Sequence, residues 1–406
     1  MHTPFGHLTY CTNIHSGETW TDHFTQLKKY IPGIKKAISP RHPFGIGLRL
    51  SNTASIELQD KKILSNFKQW LKEEDCYVFT MNGFPYGSFH NTEVKDQVHA
   101  PDWTTSERVQ YTIRLAKILA DLLPGNMEGG ISTSPLSYRF WHNASNTSSV
   151  FETATLHVLQ VVGEMIQIKK STGKVLHLDI EPEPDGLLET GDDFFTWYLN
   201  YLLPLGIVYL RERFEYSENE AEQAIKEHVQ LCYDICHFSI GYENPEKVLQ
   251  KAFYHAIRIG KIQISAALKA SLVNNDSRDD VIEAFKKFNE PTYLHQVIAS
   301  QNDGRLQRFS DVPDALEKAN DLSIVEWRAH FHVPVFIENY GILQSTQYDI
   351  VEVLRKQKER PFSAHMEVET YTWEVLPTEL KMPLSPSIIR ELEWVLDFLN
   401  RELKLV

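Results

Sequence analysis

Four segments of the 406-residue chain close a short apolar run with groups that can hold a metal ion or move a proton. They are His177-Leu-Asp179-Ile-Glu181, Asp234-Ile-Cys-His237, Lys261-Ile-Gln263-Ile-Ser265 and His365-Met-Glu367-Val-Glu369. Three of them alternate strictly. In a β-strand positions i, i+2 and i+4 share a face, so each alternating segment sets polar groups on one side and aliphatics on the other. One such strand is ordinary. Several, distributed between residues 177 and 369, imply strand ends converging on one polar site. A parallel barrel achieves this, since its functional groups come from the C-terminal ends of several strands. The reading is a metal-dependent (β/α) barrel.

The residues carry unequal weight. Two carboxylates and a histidine on one face are costly to bury unpaired, so His177 and Asp179 read as an internal ion pair. Glu181, at the strand's mouth before Pro182-Glu-Pro-Asp-Gly, reads as a ligand. Asp234-x-x-His237 is a weak motif alone, strengthened by its apolar approach; the bland alternative is an Asp capping the next turn. Gln263 faces the same way as Lys261 and Ser265, and its carbonyl oxygen suits a hard cation, though a hydrogen-bonded core amide fits equally well. Of the two glutamates at the end of the last strand, Glu369, nearer the strand end, is the chosen ligand; for Glu367 a ligand and a salt-bridged barrel interior fit equally well. His330-x-His332, with Arg328 before it, chelates a metal or grips an anion; contact with substrate is the favoured reading. Asn13-Ile-His15, Asn82-Gly-Phe-Pro-Tyr86 and Ser132-Thr-Ser134 add polar groups to the rim. No GxGxxG, P-loop, GxSxG or HExxH pattern occurs, so nucleotide-cradle, α/β-hydrolase and zincin chemistries lack support.

The elements that must position these residues alternate between strand and helix patterns. Strands are expected at Gly6–Thr12, Gly45–Ser51, Cys76–Asn82, Gly129–Thr133, Val175–Glu181, Val229–Asp234, Gly260–Ser265 and His365–Thr372, which makes eight. Helices are expected at Trp20–Ile31, Asp60–Glu74, Thr105–Leu123, Glu152–Lys169, Asp193–Phe214, Pro245–Ile257 and Ser385–Leu403, the last with Ser385-Pro386 as N-cap and first helical residue. Leu268 to Val335 is irregular, with a helical stretch near Asp280–Phe288, and reads as a lid on the catalytic side between the seventh and eighth strands. No linker divides the chain, so residues 1–406 are expected to form one domain.

Composition sets the outer bounds. Hydrophobic content of 42% with 11% aromatics fits a well-buried globule. A net charge of −13 argues against a nucleic-acid partner, which clustered Lys and Arg would serve. Cys11, Cys76, Cys232 and Cys236 form no CxxC pair and read as buried thiols. The N-terminus shows neither charged leader nor apolar h-region, and no run nears the roughly 18 apolar residues of a membrane helix. A cytoplasmic protein without membrane insertion is expected.

The residues then resemble a family. Cys232-Tyr-Asp234-Ile-Cys-His237-Phe is similar to the D-x-x-H strand of the xylose-isomerase-like barrels, which include sugar isomerases and epimerases, hydroxypyruvate isomerase and endonuclease-IV-type enzymes. Leu178-Asp-Ile-Glu181 falls where those proteins carry a metal-binding Glu on the fifth strand. Lys261-Ile-Gln263-Ile resembles the seventh-strand pattern of the hydroxypyruvate-isomerase branch, and Val368-Glu369-Thr370 the eighth-strand Glu. His7-Leu-Thr-Tyr-Cys-Thr-Asn-Ile-His15, Gly17-Glu-Thr-Trp20, Tyr293-Leu-His-Gln296 and His330-Phe-His-Val-Pro334 resemble the EboE family of metabolite-traffic proteins within the same superfamily. Endonuclease-type members carry further histidines after the third and fourth strands, where this chain has Asn82-Gly83 and Thr133-Ser134, so a trinuclear zinc site is not expected.

The resemblance implies one divalent cation, manganese or magnesium before zinc, held by Glu181, Asp234, Gln263 and Glu369. It implies proton exchange between Glu181 and Glu369 on a small hydroxy-carbonyl metabolite, with His237 hydrogen-bonding a substrate oxygen. His15, Asn82, Arg328, His330 and His332 would contact the rest of the substrate. The activity implied is isomerisation or epimerisation, with protein partners encoded in the same gene cluster. A non-catalytic metabolite carrier or assembly subunit is the alternative, and a metal-dependent phosphodiesterase a third.

Overall fold

The structure, a computed structural model, describes residues 1–87, 95–125, 127–274, 277–289, 294–370 and 383–401. Seven parallel strands follow one another round a ring: Gly6–Tyr10 (β1), Phe44–Arg49 (β2), Cys76–Asn82 (β3), Gly129–Thr133 (β4), Leu176–Ile180 (β5), Val229–Asp234 (β6) and Ile259–Ile264 (β7). An insertion follows, built from Ala266–Ser271 (β8), Val297–Gln301 (β9), Leu306–Phe309 (β10), Ile324–Val333 (β11), Asn339–Tyr340 (β12) and Leu343–Ser345 (β13). The eighth barrel strand, His365–Val368 (β14), then pairs in parallel with β7 on one side and β1 on the other.

The ring is nearly closed. Between β1 and β2 the ladder shrinks to one bridge, Cys11 to Gly47. Threonine hydroxyls replace the missing rungs: Thr9 Oγ1 donates to the Gly45 carbonyl at 2.7 Å and accepts from Gly47 N at 3.1 Å. Thr12 Oγ1 accepts from Arg49 N at 2.9 Å. Every residue of β2, β4, β5, β6, β7 and β14 is buried, as in parallel sheets covered on both faces.

Outside the ring lie the helices that the apolar periodicity predicts, with ends adjusted by packing. The first runs Trp20–Ile38 and continues through Pro32, because Ile34 and Ile38 extend the buried stripe of Leu27 and Ile31. Asp60 and Thr105 cap the next helices, Lys61–Glu73 and Ser106–Leu122, with side-chain oxygens on backbone N–H groups. The long apolar stretch becomes Gly191–Trp197, a π-helical turn at Tyr198–Leu202 and Leu203–Phe214, the wide turn preceding Pro204. The final helix is Leu384–Asn400, so Ser385 and Pro386 sit inside its first turn rather than at its cap. Helices Asn52–Glu57, Glu218–His228, Ile235–Ile240 and Gln347–Glu359 are additional to those expected.

The insertion corrects the sequence reading most. Its strands form a six-stranded antiparallel sheet in the order β10-β9-β11-β8-β13-β12, spanning Ala266 to Ser345 where an irregular lid over Leu268–Val335 is expected. Short helices, Arg278–Lys286 and Val312–Leu316, accompany it. Both its ends meet at one point: the Ala267 and Thr346 backbones and the Thr346 hydroxyl exchange two hydrogen bonds of 2.9 Å.

The four cysteines are free and buried. No described helix is long and apolar enough to cross a membrane. Tyr293, the Tyr371–Thr372 end of the expected eighth strand and the Glu402–Leu403 end of the last helix lie outside the described residues.

Candidate metal centre

The barrel interior is layered. Lowest is a polar layer that neutralises itself. His177 Nδ1 meets Asp179 Oδ1 at 2.6 Å, as the alternation on β5 suggests. Lys261 Nζ meets Glu367 Oε2 at 2.7 Å, with Ser132 Oγ and the Met81 carbonyl completing its acceptors. Burial opposes the lysine's charge, but Glu367, Cys232 and Cys11 together outweigh it and raise its pKa.

Above this layer, at the C-terminal ends of β5, β6 and β14, three carboxylates converge. Glu181, Asp234 and Glu369 each offer an oxygen within 4.8 Å of the other two, and all are buried. Asp234 serves two purposes. Its Oδ1 caps helix Ile235–Ile240 by accepting from His237 N at 3.1 Å, and also accepts from Ser265 Oγ at 2.7 Å. Its Oδ2 has no hydrogen-bond partner among the described residues. The capping interpretation therefore describes one oxygen, and the other is left for a ligand.

Amides fix Glu369. Asn13 and Asn82 donate to Oε1 at 2.7 and 2.8 Å, and Gln263 Nε2 donates to Oε2. The Cys232 thiol donates to Gln263 Oε1. Gln263 thus reaches the cluster with its nitrogen, rather than the expected oxygen, toward Glu369.

Electrostatics make the cluster strained as it stands. Burial, then Glu369, Asp234 and Glu183, push Glu181 well above the usual carboxylate range, with Lys261 pulling the other way. Burial, Asp234 and Glu367 do the same to Glu369, against Lys261 and Gln263. Glu183 is raised by burial, Asp234, Asp185 and Glu369. Since Lys261 is already paired, a divalent cation is the charge that would relieve this repulsion. The donor set, the convergence and the bare Asp234 Oδ2 all fit one.

Opposite the carboxylates, the insertion supplies the second wall. Strand β11 carries His330 and His332 over the barrel mouth beside His237. Burial lowers all three, His332 to about 4, so these rings are neutral. Together with Asn13, Asn82 and Glu183 they line a cavity of about 70 Å³ with Phe84, Pro85 and Leu294 as apolar walls.

Two expected contacts stand elsewhere. His15 Nε2 is 2.8 Å from the Tyr10 hydroxyl and its ring stacks on Tyr30, away from the cavity lining. Arg328 lies 2.8 Å from Glu326 and 3.5 Å from Asp349, donates to the Ser239 carbonyl at 2.7 Å and covers the Tyr242 ring. Arg328 stands two residues before His330 along β11, over Ser239 and Tyr242, and does not line the cavity. Sequence reasoning overlooked Glu183, whose spacing from Glu181 extends the alternation past Pro182. It also overlooked His99, 3.2 Å from Glu183 and without a motif around it, and gave no role to Gln296, 2.8 Å from His330 Nδ1, although Gln296 closes the Tyr293–Gln296 segment.

The chain matches no protein-family model and no curated protein. Among solved structures, a xylose-isomerase-like TIM barrel protein from Mycobacterium smegmatis in complex with magnesium is similar over 98% of each chain, at 11% identity and a TM-score of 0.50. The chain folds as a (β/α)8 TIM barrel. A D-tagatose 3-epimerase-like protein matches over 97% of each chain at 11% identity and a TM-score of 0.48. The IOLI protein with a binding zinc atom matches over 97% of this chain and 98% of its own, at 13% identity and 0.47. This barrel differs from a plain eight-fold repeat by its antiparallel sheet, which reaches back over the site.

Proposed function

We propose that the chain is a metal-dependent isomerase or epimerase acting on a small hydroxy-carbonyl metabolite. The observation that carries this is the convergence of Glu181, Asp234 and Glu369, buried and mutually repelling, at the mouth of the barrel. A divalent ion held by these three carboxylates would polarise a chelated carbonyl oxygen and acidify the adjacent C–H. Gln263 would complete an oxygen-rich set after its amide turns over, since O and N then exchange places beside Glu369. Oxygen donors suit manganese or magnesium.

The proton transfers would fall to Glu181 and Glu369. One carboxylate takes the proton from carbon on one side of the substrate, and the other returns it. Asn13 and Asn82 hold the Glu369 carboxylate in a single orientation for this task. Asn82 also faces the cavity, where it would meet a substrate hydroxyl. The cavity's size suits a compound of a few carbons, and its phenylalanine and proline walls exclude water from the reacting carbon. The resemblance of the His330-Phe-His-Val-Pro334 segment to the EboE family supports a place beside other proteins of a metabolite-traffic gene cluster.

The test is solvent deuterium exchange. The metal-loaded protein, incubated in D₂O with a panel of small hydroxy-ketones and ketoses, should incorporate deuterium at the carbon next to the carbonyl. The Glu181→Gln and Glu369→Gln variants should not. Tight stoichiometric retention of a compound without exchange would overturn the enzyme and establish the carrier; cleavage of an abasic-site duplex would replace both with a phosphodiesterase.

A further inference from the structure

The wall of the cavity carries two polar side chains that the carboxylate cluster does not use, His99 and Glu183. His99 Nε2 lies 3.2 Å from Glu183 Oε1, and the two side chains are only 3% and 9% exposed. The contact lacks hydrogen-bond geometry. Among the described residues neither Glu183 Oε1 nor His99 Nδ1 has a hydrogen-bond partner.

Packing holds both groups in place. His99 ends the short turn Lys95–His99, and the rings of Phe84, Tyr138 and Trp141 surround its imidazole at centroid distances of 5.5, 5.2 and 6.2 Å. Trp141 Nε1 donates to Asp96 Oδ2 at 2.8 Å and fastens that turn to the loop after β4. Glu183 sits in a tight turn after β5. Its N–H donates to the Leu188 carbonyl at 3.3 Å, and its carbonyl accepts from Gly186 N at 3.0 Å. Fixed side chains with unmet hydrogen-bonding capacity are costly to bury, yet they favour a ligand because they need no ordering when it binds.

Counting protons decides which ligand group fits. With Glu183 ionised, His99 Nε2 carries the hydrogen toward Oε1 and Nδ1 is left as an acceptor. With Glu183 protonated, its hydrogen turns to Nε2 and Nδ1 is left as a donor. A hydroxyl both donates and accepts, so it satisfies Nδ1 in either arrangement. Charged groups fit less well. Burial, then the Arg108 guanidinium, hold His99 to about 3 and keep the ring neutral. An ammonium group would meet that same guanidinium, and an anion would meet the Glu183 carboxyl.

We propose that His99 and Glu183 form a hydroxyl-reading subsite that selects substrates with a hydroxyl beyond the pair of oxygens chelated at the carboxylates, and rejects their deoxy counterparts. The subsite rests on the proposed reaction and narrows its substrates to polyhydroxylated ketoses. Both residues set specificity and neither moves the proton at carbon. A deoxy compound would leave their buried polar atoms unpaired, and for that reason sites built to bond a hydroxyl discriminate more sharply than apolar ones.

The experiment measures binding, so it does not depend on turnover. The manganese-loaded full-length protein is titrated by calorimetry with L-erythrulose and D-xylulose, and with their counterparts that lack only the terminal hydroxyl. The parent should bind at least one of the ketoses roughly tenfold or more tightly than its deoxy form, the size expected when buried groups lose their partner. His99→Phe and Glu183→Leu remove the polar atoms at similar volume and should erase that difference. Glu183→Gln, which keeps an acceptor oxygen, should retain most of it. Circular dichroism and bound manganese should match the parent in all three, and two positions on separate loops keep the test independent of either variant's folding. Equal affinities in the parent, no measurable binding of either ketose, or a preference that survives both His99→Phe and Glu183→Leu would overturn the proposal. Loss of manganese from Glu183→Leu would also overturn it, by making Glu183 a metal ligand. Discrimination by a protein that exchanges no deuterium would leave the subsite standing and sink the isomerase.

Discussion

Lys261 Nζ lies 2.7 Å from Glu367 Oε2 at the centre of the barrel, and neither side chain has any exposure to solvent. The pair distinguishes the two glutamates at the end of β14. Glu367 answers the lysine below, which leaves Glu369, one layer up, facing Glu181 and Asp234.

Breaking that pair should be expensive and removing it cheaper. Lys261→Met leaves Glu367 buried without its counter-charge and should lower stability by about 3–5 kcal/mol. Adding Glu367→Leu to it should recover most of that loss, because an apolar pair needs no compensation. Urea denaturation midpoints of the parent, single and double variants measure both. A double variant as unstable as the single would show that the charge pair is not what Lys261 supplies.

Backbone approach explains two glycines of the barrel. A Cβ at Gly260 would stand 1.8 Å from Asp179 Oδ1, and one at Gly47 1.8 Å from Glu367 Oε1. Both carboxylates are buried and pinned by His177 and Lys261, so neither can retreat freely. Gly260→Ala and Gly47→Ala should each cost at least about 1–3 kcal/mol, the range for overpacked interiors. Gly33, exposed in helix Trp20–Ile38 with open space around it, is the control. Gly33→Ala should stabilise by about 0.5–1 kcal/mol. Thermal melts that rank the three alike would refute the crowding argument.

For Glu181→Gln the sign of the stability change should depend on the ion. In chelator, one of three mutually repelling carboxylates is gone, so the variant should melt above the parent. In excess manganese the order should reverse. Ion present at a hundred times its Kd stabilises the parent by about 2.7 kcal/mol, and the variant forgoes most of that. Melting curves with and without ion that keep the same order would mean the carboxylates are not held together by a cation.

Glu391 should make stability depend on alkali. Burial lifts its carboxyl from 4.5 to about 8, although Thr370 Oγ1 and Val335 N donate to it. A carboxyl raised on folding contributes stability that is fully present below its unfolded value and is lost as pH rises through the folded one. The parent should therefore lose stability between about pH 4.5 and 8, and Glu391→Gln, which cannot ionise, should flatten that slope. Denaturant midpoints measured at pH 5, 7 and 9 decide it; parallel slopes for both proteins would sink the assignment.

Much of the barrel was legible because parallel strands covered on both faces announce themselves. Cys76–Asn82, Gly129–Thr133 and Val229–Asp234 have the ends that their apolar runs and flanking turn residues suggest. Alternation on β5 likewise pointed to Asp179 as ion-paired and Glu181 as a ligand, whereas on β14 it set Glu367 and Glu369 on one face and left the role of Glu367 open. The insertion was illegible for the opposite reason. Its strands mix small and charged residues, as in Ala266-Ala-Leu-Lys-Ala-Ser271, and their partners lie far apart in the chain, with β8 between β11 and β13. Arg328 was read as a substrate contact beside His330, but two residues back along β11 it meets Ser239, Tyr242 and Asp349 instead of the cavity. Gln296 and His99 reach the cavity only through tertiary packing, which no local pattern encodes.

Ala267 and Thr346 are bonded to each other where the insertion leaves and rejoins the barrel. Residues 268–345 thus leave and rejoin the barrel at adjacent points, and splicing Ala267 directly to Thr346 spans a gap that hydrogen bonds already bridge. Such a splice would carry away His330 and His332 while leaving Glu181, Asp234 and Glu369 on the barrel. The pocket is therefore partitioned along the architecture: its carboxylates come from the barrel's own strand ends, and two of its three mouth histidines come from one contiguous stretch of chain.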